Sequence, residues 1–228
     1  MTAARDPGGA VPPPVRRWLD HAVAPGSAPA TAVELWMRGA IRLGGRWRPF
    51  RAREDLEPGR RFEWRASVGS RLLPVTGADR YEAGVGEMRW RLLGLVPVAS
   101  GSGADVTRSA AGRLAAELVL CPPAAAGSAV RWRGIDDERA LGLVDVDGVA
   151  HEVTIAVDRD GRLRWVTTDR WGEVPAEGFR SRPFTVMCDG EARVGGHLVP
   201  SPFRIAWSPP HPWGEEWFRA AITAARFR

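Results

Sequence analysis

Between Val33 and Val194 apolar residues recur at alternate positions in one segment after another, and short clusters of Gly, Pro and Asp close each segment. A period of two places successive side chains on opposite faces of a pleated chain, so runs of this kind fold as half-buried strands. Val33, Leu35, Met37, Ile41 and Leu43 alternate with Glu34, Trp36, Arg38 and Arg42, and Gly44-Gly45 supplies a two-residue hairpin turn. The return segment, Arg46 to Leu56, carries Phe50, Ala52 and Leu56 on one face, and Pro49 points to an edge or a bulge. Phe62, Trp64, Ala66 and Val68 alternate with Arg61, Glu63, Arg65 and Ser67, which predicts one wet side of the sheet. The pattern resumes with Val130 and Trp132, then Leu141 to Val146, a turn at Asp147-Gly148, and Val149 to Val157. Leu163, Trp165 and Thr167 follow, then Phe184, Val186 and Cys188, with a turn at Asp189-Gly190 into Ala192 and Val194. The segment from Glu215 to Arg228 fits both helix and alternation and is read as a final strand. About ten strands and two helices result. The chain is thus expected to be mainly β: a strongly curved antiparallel sheet or half-barrel with a central helix packed in its concave face.

That helix lies in the stretch from Val75 to Cys121, where the two periods meet. Met88, Trp90 and Leu92 alternate with Arg89, Arg91 and Leu93 as a strand, and Gly84-Val85-Gly86 before it reads as a bend re-aiming Tyr81 and Met88. Ala99 to Ala104 reads as a loop. Asp105 then fits an N-cap, and Val106, Ala110, Leu114, Leu118 and Cys121 recur at helical spacing until Pro122-Pro123 ends the pattern. A shorter helical face, Val15, Trp18, Leu19 and Ala22, leads the chain, with Trp18 as its anchor to the sheet.

With 228 residues and 44% hydrophobic content, the chain can bury a substantial core. No repeat or linker divides it, so residues 11–228 are expected to form a single domain behind a disordered leader of residues 1–10. The N-terminus has no apolar run of the signal-peptide kind, and no later run suits a spanning helix, so cytoplasmic localisation without stable membrane insertion is expected. Cys121 and Cys188 stand far apart in apolar patterns and read as buried free thiols. The net charge is +5, every basic residue is Arg, and the arginines are interleaved with 27 acidic residues. That interleaving argues against a nucleic-acid partner.

Several segments carry a resemblance. Arg38-x-x-Ile41-Arg42, Trp47-x-Pro49-Phe50-x-Ala52, Val75-x-Gly77-x-Asp79-x-Tyr81-x-x-Gly84-x-Gly86-x-Met88, Gly94-Leu95-x-Pro97-Val98 and Arg113-Leu114-x-x-Glu117 resemble a bacterial family of unknown function. That resemblance implies no activity. The order of a leading helix, Pro58-Gly59-Arg60-Arg61-Phe62-x-Trp64, a central helix and later hairpins is also similar to half-barrel lipid carriers of the lipoprotein-sorting type. This likeness implies an apolar cavity between sheet and helix.

Phosphate-binding loops are excluded, because Gly84-x-Gly86 is followed by Arg89 where a third Gly is needed, and no G-K-[ST] exists in a chain without Lys. The four histidines are scattered and form no metal or catalytic pair. No cofactor is expected. By helical projection Glu117 falls inside the apolar arc, with Arg113 one turn earlier, so a charged partner must meet the carboxylate. One reading is a salt bridge pinning helix to sheet. The other makes Tyr81, Met88, Trp90, Arg113 and Glu117 the lining of a site that binds a hydrophobic small molecule or lipid without catalysis. An enzyme using Glu117 and Arg113, or a purely structural domain, are the alternatives.

Overall fold

A computed structural model describes residues 11–174 and 176–228; the expected leader lies outside them. Helix α1 (Pro13–Ala22) precedes a meander of β1 (Val33–Leu43), β2 (Arg46–Glu57), β3 (Arg61–Gly69), β4 (Pro74–Glu82), β5 (Val85–Leu92) and β6 (Val96–Gly101). Helix α2 (Ala104–Ala116) and two 3₁₀ turns, Glu117–Leu120 and Pro122–Ala126, form the central segment. Then come β7 (Val130–Gly134), β8 (Arg139–Val146), β9 (Val149–Val157), β10 (Leu163–Val174), β11 (Gly178–Cys188), β12 (Glu191–Val194), β13 (His197–Pro200), β14 (Phe203–Ala206) and β15 (Glu216–Phe227).

Thirteen of these strands make one antiparallel sheet in the order β6-β5-β4-β3-β2-β1-β15-β14-β11-β10-β9-β8-β7. The last strand lies at the centre, against β1 on one side and β14 on the other, and so joins the two meanders. The sheet is curved and open, with β6 and β7 at its edges. Helix α2 touches β4 and β5 of one wing and β8, β9 and β10 of the other, so the sheet wraps around it. The core fills this concave space: Leu114, Leu118, Trp18, Phe62, Leu35, Leu56 and Ile155 are fully buried there. Trp18 meets Trp132 of β7 edge-on at 6.3 Å, which anchors α1 as expected. Both thiols are free and buried. No helix among the described residues is long and apolar enough to cross a membrane.

The structure corrects the strand count from about ten to fifteen among the described residues. Ala83-Gly84 is the two-residue turn between β4 and β5, both with positive φ, rather than part of a bend within one strand. Gly86 is a close-approach position: a Cβ there would lie 2.7 Å from the Thr107 Cα of α2. Ala99 to Gly101, expected as the start of a loop, belong to strand β6, because Met88, Arg89 and Trp90 of β5 pair with Gly101, Ser100 and Ala99. Asp189-Gly190 is the neck of an inserted hairpin: backbone hydrogen bonds to Ser201 and Pro202 close it, β12 pairs with β13, and β11 pairs with β14. Pro49 sits in an interior strand, yet β3 pairing stops at Phe50, so the missing N–H leaves no ladder position open.

The helix also differs at both ends. Gly103, with φ 95°, is the N-cap, and Asp105 lies inside the first turn, where its carboxylate accepts the Trp171 indole N–H at 2.8 Å. The α-helical turns end at Ala116, five residues short of Cys121, to which the helical spacing had extended them. Cys121 precedes Pro122 and takes φ −126°, ψ 72°, the non-helical backbone that a following proline favours.

Candidate functional site

Strand alternation builds one wall of the site. Phe50, Ala52, Glu54 and Leu56 of β2 share the concave face, so Glu54 stands between buried apolar neighbours at 1% exposure. The register sets Glu54 beside Leu35 of β1 and Trp64 of β3, and Asp79 of β4 beside Trp64 and Met88. Two carboxylates therefore flank Trp64 on the inner surface of the sheet.

Helix α2 lowers a guanidinium onto them. Arg113 donates from Nε to Glu117 at 2.5 Å and from a terminal nitrogen to Glu54 at 2.7 Å, with Asp79 at 3.5 Å. Its guanidinium carbon also sits 4.4 Å from the Phe62 ring centroid and 5.5 Å from that of Trp64. Arg170 of β10 approaches from the opposite wing. It donates to the backbone oxygen of Ser109 at 2.9 Å and to its hydroxyl at 3.2 Å, and it packs on Phe184 and Trp207 at 4.8 and 5.2 Å.

Burial drives the protonation of this cluster. Glu54 is pushed up to about 8, first by desolvation and then by the neighbouring Glu117 carboxylate, which together outweigh Arg113. Desolvation also opposes the charge on Arg113, but Glu117, Glu54 and Asp79 outweigh it and hold that guanidinium firmly protonated. Arg170 is pushed down to about 9 by desolvation and by Arg113.

Beside the cluster lies a cavity of about 140 Å³ between the sheet, the end of α2 and the first 3₁₀ turn. Its polar end is Glu54, Asp79, Arg113, Glu117 and Arg170; its apolar walls include Trp64, Met37, Phe184, Phe203, Trp217 and Phe218. Two buried polar atoms of lining residues, Glu117 Oε2 and Trp217 Nε1, have no protein hydrogen-bond partner among the described residues.

Of the five residues expected to form a binding site, Arg113 and Glu117 line this cavity. Trp90 stands behind the wall, donating its indole N–H to Asp79 at 2.9 Å and packing on Trp64 at 5.7 Å. Met88 lies opposite Gly101 on the outer wing, away from the lining. Tyr81 is on the other side of α2, where its hydroxyl donates to Asp147 at 2.7 Å, and burial followed by that carboxylate raises its pKa. Tyr81 and Met88 are thus not brought together with Arg113 and Glu117. Glu54 and Arg170 went unrecognised in the sequence. The signal for Glu54 was present, since it occupies the inward phase between Ala52 and Leu56; Arg170 has none, because it depends on the two wings closing around α2.

The fold and site define an open antiparallel half-barrel holding a buried ionic cluster on its central helix. The chain belongs to a family of unknown function, DUF6544, whose model matches residues 2–220. Comparison with curated proteins found no match. Among solved structures it is similar to the LolA superfamily protein NE2245 from Nitrosomonas europaea, at 11% identity over 94% of this chain and 92% of that one, with a TM-score of 0.48. It is also similar to a domain from Vibrio parahaemolyticus named, on a provisional basis, an outer membrane lipoprotein-sorting protein, at 10% identity over 86% and 85% of the two chains and a TM-score of 0.49. A DUF1329 family protein from Desulfovibrio piger matches at 12% identity over 87% and 86%, with a TM-score of 0.40.

Proposed function

We propose that this protein binds, without turning it over, a small hydrophobic molecule with one hydrogen-bonding end in the cavity between α2 and the sheet. The observation that carries this reading is the pair of unpartnered polar atoms, Glu117 Oε2 and Trp217 Nε1, on residues lining an otherwise aromatic and aliphatic cavity. A buried acceptor or donor left unsatisfied costs about 1 to 3 kcal/mol, and a ligand hydroxyl that meets it recovers that cost. Apolar cavities of roughly 150 Å³ take up molecules of benzene size, which matches the volume here. A whole lipid chain exceeds it, so lipid binding requires the half-exposed rim at Ile41, Val186, Ile205 and Trp217 to part.

Absence of turnover is supported by the use already made of the charged groups. Arg113 is held by three carboxylates and stacked on Phe62, and Glu117 spends one oxygen on Arg113. Arg113 cannot act on a substrate without breaking the cluster, and the remaining Glu117 oxygen is the atom that meets the ligand hydroxyl. Thermal-shift titrations with toluene and benzyl alcohol test the proposal. Benzyl alcohol is expected to raise the melting temperature more than toluene, and Glu117→Leu is expected to erase that preference. Equal shifts for both compounds, or none for either, would refute it.

A further inference from the structure

We propose that the tips of the first three hairpins form a docking surface for an anionic lipid bilayer, independently of the cavity. The β1–β2 turn, the β3–β4 loop and the β5–β6 turn project from the same end of the sheet, since they close successive antiparallel hairpins. Seven of the ten exposed large hydrophobic residues are in these tips or on the adjoining edge strand: Leu43, Leu72, Leu73, Leu93, Leu95, Val96 and Val98. Leu72 is 87% and Leu95 75% exposed. A backbone hydrogen bond from Leu93 to Pro74 ties two of the tips together. Concentration of aliphatic surface at one end, with the rest of the exterior nearly free of it, marks an interaction site rather than scattered exposure.

The charge of this end is one-sided. Residues 39–53, 64–78 and 88–104 hold nine arginines and no Asp or Glu. Arg42, Arg53, Arg65 and Arg89 reach Glu215, Glu34, Glu63 and Glu87, whereas Arg46, Arg48, Arg71 and Arg91 are exposed and pair with no carboxylate among the described residues. Behind the tips, an open groove of about 640 Å³ on the sheet is lined by Arg38, Arg51, Arg71 and Arg219 and suits phosphate headgroups. Leucines that enter the headgroup boundary, ringed by unpaired guanidinium groups, complement an anionic bilayer surface. Nucleic acid is the poorer fit, because bases bind by stacking on aromatic rings and the exposed side chains here are aliphatic.

Flotation of the full chain with phosphatidylcholine vesicles, with and without added phosphatidylglycerol, tests this. The protein is expected to float with the anionic vesicles alone and to be released by high salt. The variant Arg46→Gln, Arg48→Gln, Arg71→Gln should lose partitioning by about a hundredfold. Leu72→Ser with Leu95→Ser should lose it by about tenfold. All five positions are exposed, and unchanged near-UV dichroism establishes that the variants are folded. Absence of vesicle binding, equal binding to neutral vesicles, or indifference to the leucine pair would overturn the proposal. So would oligonucleotide binding that is tighter than vesicle binding, or self-association through the same leucines that accounts for the flotation.

Discussion

Replacing Glu54 by Gln should remove a pH dependence that the native protein is expected to show. In the folded chain Glu54 is held at about 8 by burial and by Glu117, against an ordinary 4.5. Between those values the folded state holds a proton that the unfolded state has released, so stability falls as pH rises. The contribution is complete below the unfolded value, declines through the window, and levels off above the folded value. One proton corresponds to about 1.4 kcal/mol per pH unit, so the loss between pH 5 and pH 8 is at most about 4 kcal/mol. His151 and His197, both lowered chiefly by burial, act in the other direction, since their contribution is present above the ordinary imidazole value and is lost as pH falls below it through the lowered folded value. The difference between the native chain and Glu54→Gln cancels the histidines and isolates the carboxyl group. Urea melts at pH 5, 6.5 and 8 with a constant m-value give that difference. A gap between the two proteins that does not change with pH would refute the placement of Glu54 in a proton-holding cluster.

The remaining predictions concern the same cluster and its surroundings. Arg113→Met strands Glu117 and Asp79 beside Glu54 and should cost on the order of 3 to 5 kcal/mol in denaturant melts, whereas Glu117→Leu leaves Arg113 with Glu54 and Asp79 and should cost less than about 2 kcal/mol. Adding Glu54→Leu to Arg113→Met should recover part of the loss, and the double-mutant cycle measures the coupling. Tyr81→Phe should cost about 1 kcal/mol through the lost Asp147 hydrogen bond and leave benzyl alcohol binding unchanged, because Tyr81 is not part of the cavity wall.

The sheet was legible because alternation and turn chemistry are local. Gly44-Gly45 and Asp147-Gly148 each close the hairpin that the flanking pattern predicts. The strands that were missed are those whose pattern is weak: β6 has no buried residue, and β14 spans only Phe203–Ala206. The inserted β12–β13 hairpin was misread because Asp189-Gly190 has turn chemistry while its partners are Ser201 and Pro202, which no local rule identifies. Helical projection found Glu117 and Arg113, since they stand one turn apart where α2 runs into the first 3₁₀ turn. Tyr81 was grouped with them as the only tyrosine; its hydroxyl instead meets Asp147 of the β8–β9 turn, a long-range contact that no local rule identifies. Averaging charge over the whole chain concealed the acid-free arginine windows at one end of the sheet.

A crystal structure of the protein soaked in benzyl alcohol tests the central claim most directly. Density for the ring is expected between Trp64, Phe203 and Phe218, with the hydroxyl within hydrogen-bonding distance of Glu117 Oε2. Density confined to the outer surface, or a cavity unchanged at saturating alcohol, would contradict it.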